Sequence, residues 1–204
     1  MNPPPRRPIL KKMGDLGDAM NIVITVGGLH GTGKTTYAQA LAEELNLRHV
    51  SAGDIFRAMA EAKKMSLDEL NMLADRDPSI DKEVDEKIKE EAKKGDVVLD
   101  GQLAAWMAKD QADLQILLIA PNEIRLGRIA ERDKLSLQGA EEKTFGREEI
   151  EKERYKRYYG IDVSDPSIYD LIVDTNLYPL PEMTKILKKI VSDYITELTK
   201  KRKR

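Results

Sequence analysis

Gly28, Gly33, Lys34 and Thr35 stand in the spacing G-x-x-x-x-G-K-T, with a further glycine, Gly31, inside it. Glycines let successive backbone N–H groups turn toward one point, and such a ring of donors is a receptor for an anion. The lysine can reach the outer phosphates of a nucleoside triphosphate, and the threonine hydroxyl after it can meet a magnesium ion. Gly28, Leu29, His30, Gly31, Thr32, Gly33, Lys34, Thr35 and Thr36 are therefore the candidate ATP-binding residues. A glycine-rich turn alone would be weak evidence. Its strength depends on what flanks it.

Before the loop, Ile22 to Val26 form a short β-branched run, the mark of a strand buried on both faces. After it, Ala38, Leu41, Ala42 and Leu45 recur at helical spacing, so a helix opens at the loop and adds its positive end. The same alternation continues. "RHVSAG" reads as a strand leading into the helix "DIFRAMAEAKK", "SLDELNMLADR" opens with a capping box at Ser66 and Glu69, and a charged helix follows Asp77-Pro78-Ser79 to about Lys94. "DVVLDG", "DLQILLIA" and "YDLIVDT" read as three more strands, and "NEIRLGRIAERD", "REEIEKERYKRYY" and the segment from Ile186 to Leu198 as helices. Strands alternating with helices predict an α/β fold, a five-stranded parallel sheet covered by helices on both faces.

Asp100 ends the third of these strands. A carboxylate there would stand beside the cation, so Thr35 and Asp100 are the candidate magnesium ligands. The reaction class follows from what is scarce. Only two histidines are present: His30 occupies a loop position where only the backbone matters, and neither it nor His49 has an evident partner for base catalysis. A phosphate acceptor needs none, because its second pKa of about 6 leaves it largely a dianion at neutral pH. It needs positioning and neutralisation, which is work for arginine. Arg57 follows the second strand. Arg125, Arg128 and Arg132 share one helical face, and Arg147, Glu151 and Arg154 share another, with the polar stretch "KLSLQGAEEKTFG" between them. Two such helices joined by a polar segment describe a lid that closes over two nucleotides. By themselves these faces would read rather as solvated salt-bridge ladders, and it is the phosphate loop that turns the reading toward a lid.

Composition narrows the class. The chain has 204 residues, 34 basic against 36 acidic side chains and no cysteine. That is one domain's length, without disulfide or thiolate chemistry and without the basic excess of a nucleic-acid binder. No apolar run approaches the roughly 20 residues that span a bilayer, so a cytoplasmic protein without a membrane partner is expected. Residues 1–19, with three consecutive prolines and no periodicity, read as a disordered or non-native tail ahead of a domain over 20–204.

Taken together, "GTGKTT", "SAGDIFRAMA", "VVLDGQLAAWMA", "RIAERD", "REEIEKERYKRYYGID" and "SIYDLIVDT" resemble the archaeal type of cytidylate kinase, in family order from Met20 to about Leu187. The resemblance implies a P-loop fold with an acceptor-binding helical region at about 52–95 and a lid at about 132–147. It implies transfer of the γ-phosphoryl group of ATP to CMP, and to dCMP in varying degree, with magnesium; a monomer is expected. It implies that Ser51, Gly53, Arg57, Gly101, Gln102 and Glu151 lie on the acceptor side. Lys34, Arg128, Arg132, Arg147 and Arg154 would form the catalytic set around the transferring phosphate. At one place the chain departs: the family's usual arginine after the acidic-residue-glycine pair is Gln102 here, and the acidic residue, often Glu, is Asp100. Restoring the charge with Gln102→Arg is expected to strengthen acceptor binding. Adenylate kinases, which typically carry Gly-Phe-Pro-Arg at that place, dephospho-coenzyme A kinases and slow ATPase switches share the loop and are the alternatives.

Overall fold

A computed structural model describes residues 21–202 of the chain; the expected tail at 1–19 lies outside them. Five strands, β1 (Val23–Gly27), β2 (Arg48–Ser51), β3 (Val97–Asp100), β4 (Leu114–Ile119) and β5 (Leu171–Asp174), form one parallel sheet in the order β2-β3-β1-β4-β5. The central strand is β1, and all five of its residues are buried, as its unbroken apolar character requires.

Its side chains alternate between two cores. Ile24 and Val26 face a layer made by α1 (Lys34–Leu45) and α8 (Leu180–Arg202), where Leu41, Leu187, Val191 and Ile195 meet. Val23 faces the other layer, with Ile88 and Ala92 of α4 (Pro78–Lys94) and with Ala104 of a short helix, α5 (Ala104–Met107). A third cluster joins α4 to α2 (Ala52–Ala62) and α3 (Leu67–Ala74) through Met59, Leu70, Ala74, Ile80 and Val84. The expected acceptor region is thus three helices around a core of their own. Local signals in the sequence fix their starts. Ser66 and Glu69 form the capping box, and Asp77 caps α4 with Pro78 at its first turn.

The arginine-bearing segments are α6 (Asn122–Asp133) and α7 (Leu137–Tyr159). Here the structure differs from the expected pair of helices joined by a polar segment. Most of "KLSLQGAEEKTFG" is the opening of α7: Ser136 caps it by accepting from the Gly139 N–H, and only residues 134–136 form the turn. Helix α7 is twenty-three residues long, and its buried positions Ala140, Thr144, Glu151 and Arg154 form a stripe that is half charged. A buried stripe of that composition must find ionic partners, and these decide what α7 holds.

Candidate active site

The carboxyl ends of β1, β2 and β3 meet at one level, since Val26 and Ser51 are both in register with Asp100. Ligands bind at this edge in open parallel sheets. The loop from Gly28 to Gly33 rises there with Gly28, Gly31 and Gly33 at φ of +137°, +79° and +91°. A side chain at Gly31 would meet the backbone of α6, with a Cβ 2.5 Å from the Arg125 carbonyl oxygen, so the loop lies directly on that helix. Gly33 caps α1 without a side chain, which leaves the first N–H groups of the helix aimed at the loop's interior. Lys34 folds across and donates from Nζ to the Leu29 carbonyl at 2.9 Å. Desolvation lowers its pKa to about 8, and the Asp100, Glu151 and Glu148 carboxylates work against that fall.

Asp100 is buried and saturated with donors. Its Oδ1 accepts from the Thr35 hydroxyl at 3.1 Å and from the Ser51 hydroxyl at 3.2 Å, and its Oδ2 lies 2.6 Å from His49 Nε2. A threonine hydroxyl next to one oriented carboxylate fits magnesium, which keeps several waters and takes its remaining ligands from the phosphates of its substrate.

Helix α7 presses two acids onto the loop. Glu148 Oε1 accepts from the His30 N–H at 3.0 Å and from Arg125 Nη1 at 2.7 Å, and Arg125 Nη1 also donates to the His30 carbonyl at 2.7 Å. One turn on, the Glu151 carboxylate takes three donors: His30 Nε2 at 2.8 Å, the Gln102 amide at 2.7 Å and Arg147 Nε at 2.6 Å. Burial pushes the Glu151 carboxyl up, but the His30 and Arg147 groups beside it more than reverse this and hold it at about 2. Burial lowers the pKa of the His30 ring while the Glu151 carboxylate works against that fall, and because a carboxylate only accepts, the ring donates from Nε2 to Glu151. The Gln102 amide, 3.0 Å from that nitrogen, converges on the same carboxylate oxygen.

The profile of the cytidylate kinase-like family matches residues 23–177, which includes every residue named at this site. The chain belongs to that family. Named relatives agree: a cytidylate kinase of Staphylothermus marinus is 44% identical over 86% of this chain and 99% of its own. Another, of Pyrococcus horikoshii, is 46% identical over 85% of this chain and 90% of its own. In fold the chain is similar to shikimate kinase from Bacteroides thetaiotaomicron, with a TM-score of 0.58 at 15% identity over 84% of this chain and 98% of that one. The likeness to shikimate kinase from Acinetobacter baumannii is of the same kind, with a TM-score of 0.54 at 19% identity over 84% and 94%. The architecture is that of a P-loop kinase.

In this cytidylate kinase-like chain the structure brings together some of the expected residues and separates others. Arg128 stands at the loop, donating to the Gly31 carbonyl at 3.3 Å and to both the hydroxyl and the carbonyl of Thr175. Arg147 reaches the loop through Glu151. Arg57 is half exposed on α2 and pairs with Asp54, beside Gly53. Arg132 points outward at the end of α6, 68% exposed and paired with Asp133. Arg154 corrects the expectation most clearly. It is buried against α3 and α4, donates from Nη1 to the Asn71 carbonyl and Oδ1, and pairs with Asp81. Helical spacing put it on the same stripe as Arg147, but the rise along α7 carries it to α3 and α4, where an unpaired arginine could not be buried. Gln102 faces Glu151 and the His30 ring, so its amide is already engaged. His30 is more than a backbone position, and His49 has a partner in Asp100.

Sequence reasoning missed Glu148, the pairing of His49 with Asp100, and the hold of Arg125 on the loop through the His30 carbonyl and Glu148. For His49 the signal was available, since it and Ser51 alternate on one face of β2 at the level of a strand-end carboxylate.

Proposed function

We propose that the protein is a cytidylate kinase that transfers the γ-phosphoryl group of ATP to CMP, giving ADP and CDP, with dCMP as a second acceptor. An oxygen of the acceptor phosphate attacks the γ-phosphorus and forms the new P–O bond. The bond from that phosphorus to the β,γ-bridging oxygen breaks, and its electron pair leaves with ADP. The acceptor is already a dianion, so no side chain need remove a proton.

The chain's own residues position and neutralise. The loop N–H groups and Lys34 hold the β- and γ-phosphates, and Arg128 and Arg147, both tied to the loop, neutralise the transferring group. Arg132 would join them by turning inward from α6. Ser51, Gly53, Arg57 and Gly101 border the acceptor phosphate on the α2 side. Thr35 and Asp100 would hold magnesium, which when bound neutralises charge on the phosphates. We further propose a domain over 20–204, with the acceptor region at 52–95 and a lid formed by the turn and first part of α7 at 132–147, acting as a monomer in the cytoplasm. Among the described residues no helix is long and apolar enough to cross a membrane.

The observation that carries this reading is the placement of α7, whose charged stripe touches the phosphate loop at one end and the acceptor helices at the other. An assay of ADP formation with ATP and a panel of nucleoside monophosphates tests it. CMP should be the best acceptor, and ADP should form only when an acceptor is present. A preference for AMP, or phosphate release without acceptor, would replace this reading with one of the other loop-sharing activities.

A further inference from the structure

His30 is the loop residue held by α7 through both backbone and side chain. Its N–H donates to Glu148, its carbonyl accepts from Arg125, and its ring donates to Glu151. Thr32, Lys34 and Thr35 direct their side-chain hydrogen bonds to the loop itself or to Asp100. The loop's turn needs only backbone at position 30, so the ring is free to make a connection that anion binding does not require.

What it connects to is rigid. Glu151 is 2% exposed, and its carboxylate is fixed by Arg147 and Gln102 as well. Three residues further along α7, Arg154 is locked to Asp81 of α4 and to Asn71 of α3. Near the end of the same helix, the Tyr158 hydroxyl donates to the Ala74 and Asp75 carbonyls. A helix pinned to the loop at one point and to α3 and α4 at others transmits displacement between them, because packed interiors do not absorb it.

We propose that His30 is a positioning residue: through Glu151 its ring couples the phosphate loop to α7, so that ATP in the loop sets the placement of α7 and of the acceptor-side helices. The ring touches no reacting atom in this role. It makes the donor site and the acceptor site parts of one mechanical unit. The kinetic part of the test below rests on the cytidylate kinase reading, and the exchange part needs only ATP binding.

The test is hydrogen–deuterium exchange of the full chain with and without a non-hydrolysable ATP analogue, on the natural protein, His30→Leu and His30→Gln. Leucine fills the space of the ring without a donor, and glutamine offers a neutral N–H that reaches Glu151. In the natural protein the analogue should slow exchange in α7. In His30→Leu the analogue should still bind, with a Kd within about twofold, while α7 ceases to respond; kcat with CMP should fall on the order of tenfold from misplacement of the reacting groups. His30→Gln should restore much of both. If His30→Leu fails to fold, His30→Asn, too short to reach Glu151, takes its place. An α7 that responds equally in all variants overturns the inference, as does an α7 indifferent to the analogue in the natural protein. A natural protein that does not phosphorylate CMP defeats the acceptor reading instead, and the exchange result still decides the coupling.

Discussion

Arg154 Nε lies 2.7 Å from Asp81 Oδ2, and the side chains of this pair are 1% and 8% exposed. The contact joins α7 to α4 deep between the two helices, out of reach of solvent. A buried ion pair of this kind contributes little net stability over an apolar pair, but loss of one partner strands the other charge. The arginine is therefore a fastening of the fold.

Arg154→Ala should destabilise the protein by about 3–5 kcal/mol, because it leaves Asp81 buried without its counter-ion and close to Asp85. Arg154→Met with Asp81→Leu should recover most of that loss. Urea unfolding of the single and double variants measures both. If folded Arg154→Ala keeps its stability and loses transfer, the arginine belongs with the phosphate after all.

Asp85 supplies a pH-dependent stability. Burial raises its pKa from 3.8 to about 6; the nearby Tyr159 hydroxyl, outside hydrogen-bonding geometry, offsets part of this, and Asp81 adds to it. The folded value lies above the unfolded one, so the native state holds this proton more tightly. The ionised group thus destabilises the fold fully above pH 6, and the effect fades as pH falls toward 4. A gap of about two units corresponds to about 3 kcal/mol. Asp85→Asn should raise stability at pH 8 by about 1–3 kcal/mol and flatten the decline between about pH 4.5 and 6. Glu151, held at about 2 against an ordinary 4.5, affects the slope only below that window. Melting curves across pH for both proteins decide the matter; parallel profiles would mean Asp85 is not the source.

Gln102→Arg should bring no gain in CMP affinity. The new guanidinium would meet Glu151, where Gln102 now donates at 2.7 Å, and would compete with Arg147 for the same carboxylate. A fall in kcat/KM for CMP, with ATP affinity little changed, is the expected result. A five- to thirtyfold gain in CMP affinity, on the order of the 1–2 kcal/mol of an added charge-assisted contact, would show that position 102 faces the acceptor phosphate.

Lys34→Ala should reduce transfer on the order of 100-fold or more while leaving the melting temperature nearly unchanged, since the amine bonds only to its own loop. The amine's pKa of about 8 adds a second signature. Bound phosphates would raise it, so ATP binding at pH 8 should take up to about half a proton from the buffer. Calorimetry in two buffers of different ionisation enthalpy reads this uptake, and its persistence in Lys34→Ala would assign the proton elsewhere.

The strands and the phosphate loop were legible because their signals are local. β-branched runs, glycine spacing and the Ser66–Glu69 capping box act within a few residues of where they are read. The relation of Thr35 to Asp100 was legible too, since Thr35 opens the helix that follows β1 and Asp100 ends β3 at the same edge of the sheet. The fates of Arg147 and Arg154 were not. They share a helical face seven residues apart, and only the rise of α7 sends one to the loop and the other to α3 and α4. Gln102 and His30 looked neutral in sequence because their shared partner, Glu151, is contributed by a helix packed from far along the chain. The short helix α5 lacked the length for a periodic signal.

The central position of β1 has a consequence in time. The Ile22 N–H bonds to Asp96 across 74 residues and the Val23 N–H to Asp113 across 90, while the α8 side chains that cover Ile24 lie further on still. Long-range pairings of this kind close slowly. During synthesis the strand that carries the phosphate loop must wait, unpaired and apolar, until β3 and β4 have emerged. Nucleotide affinity should therefore arise late, once α8 is available to close the sheet, so that a chain able to hold ATP is one that has nearly completed its fold.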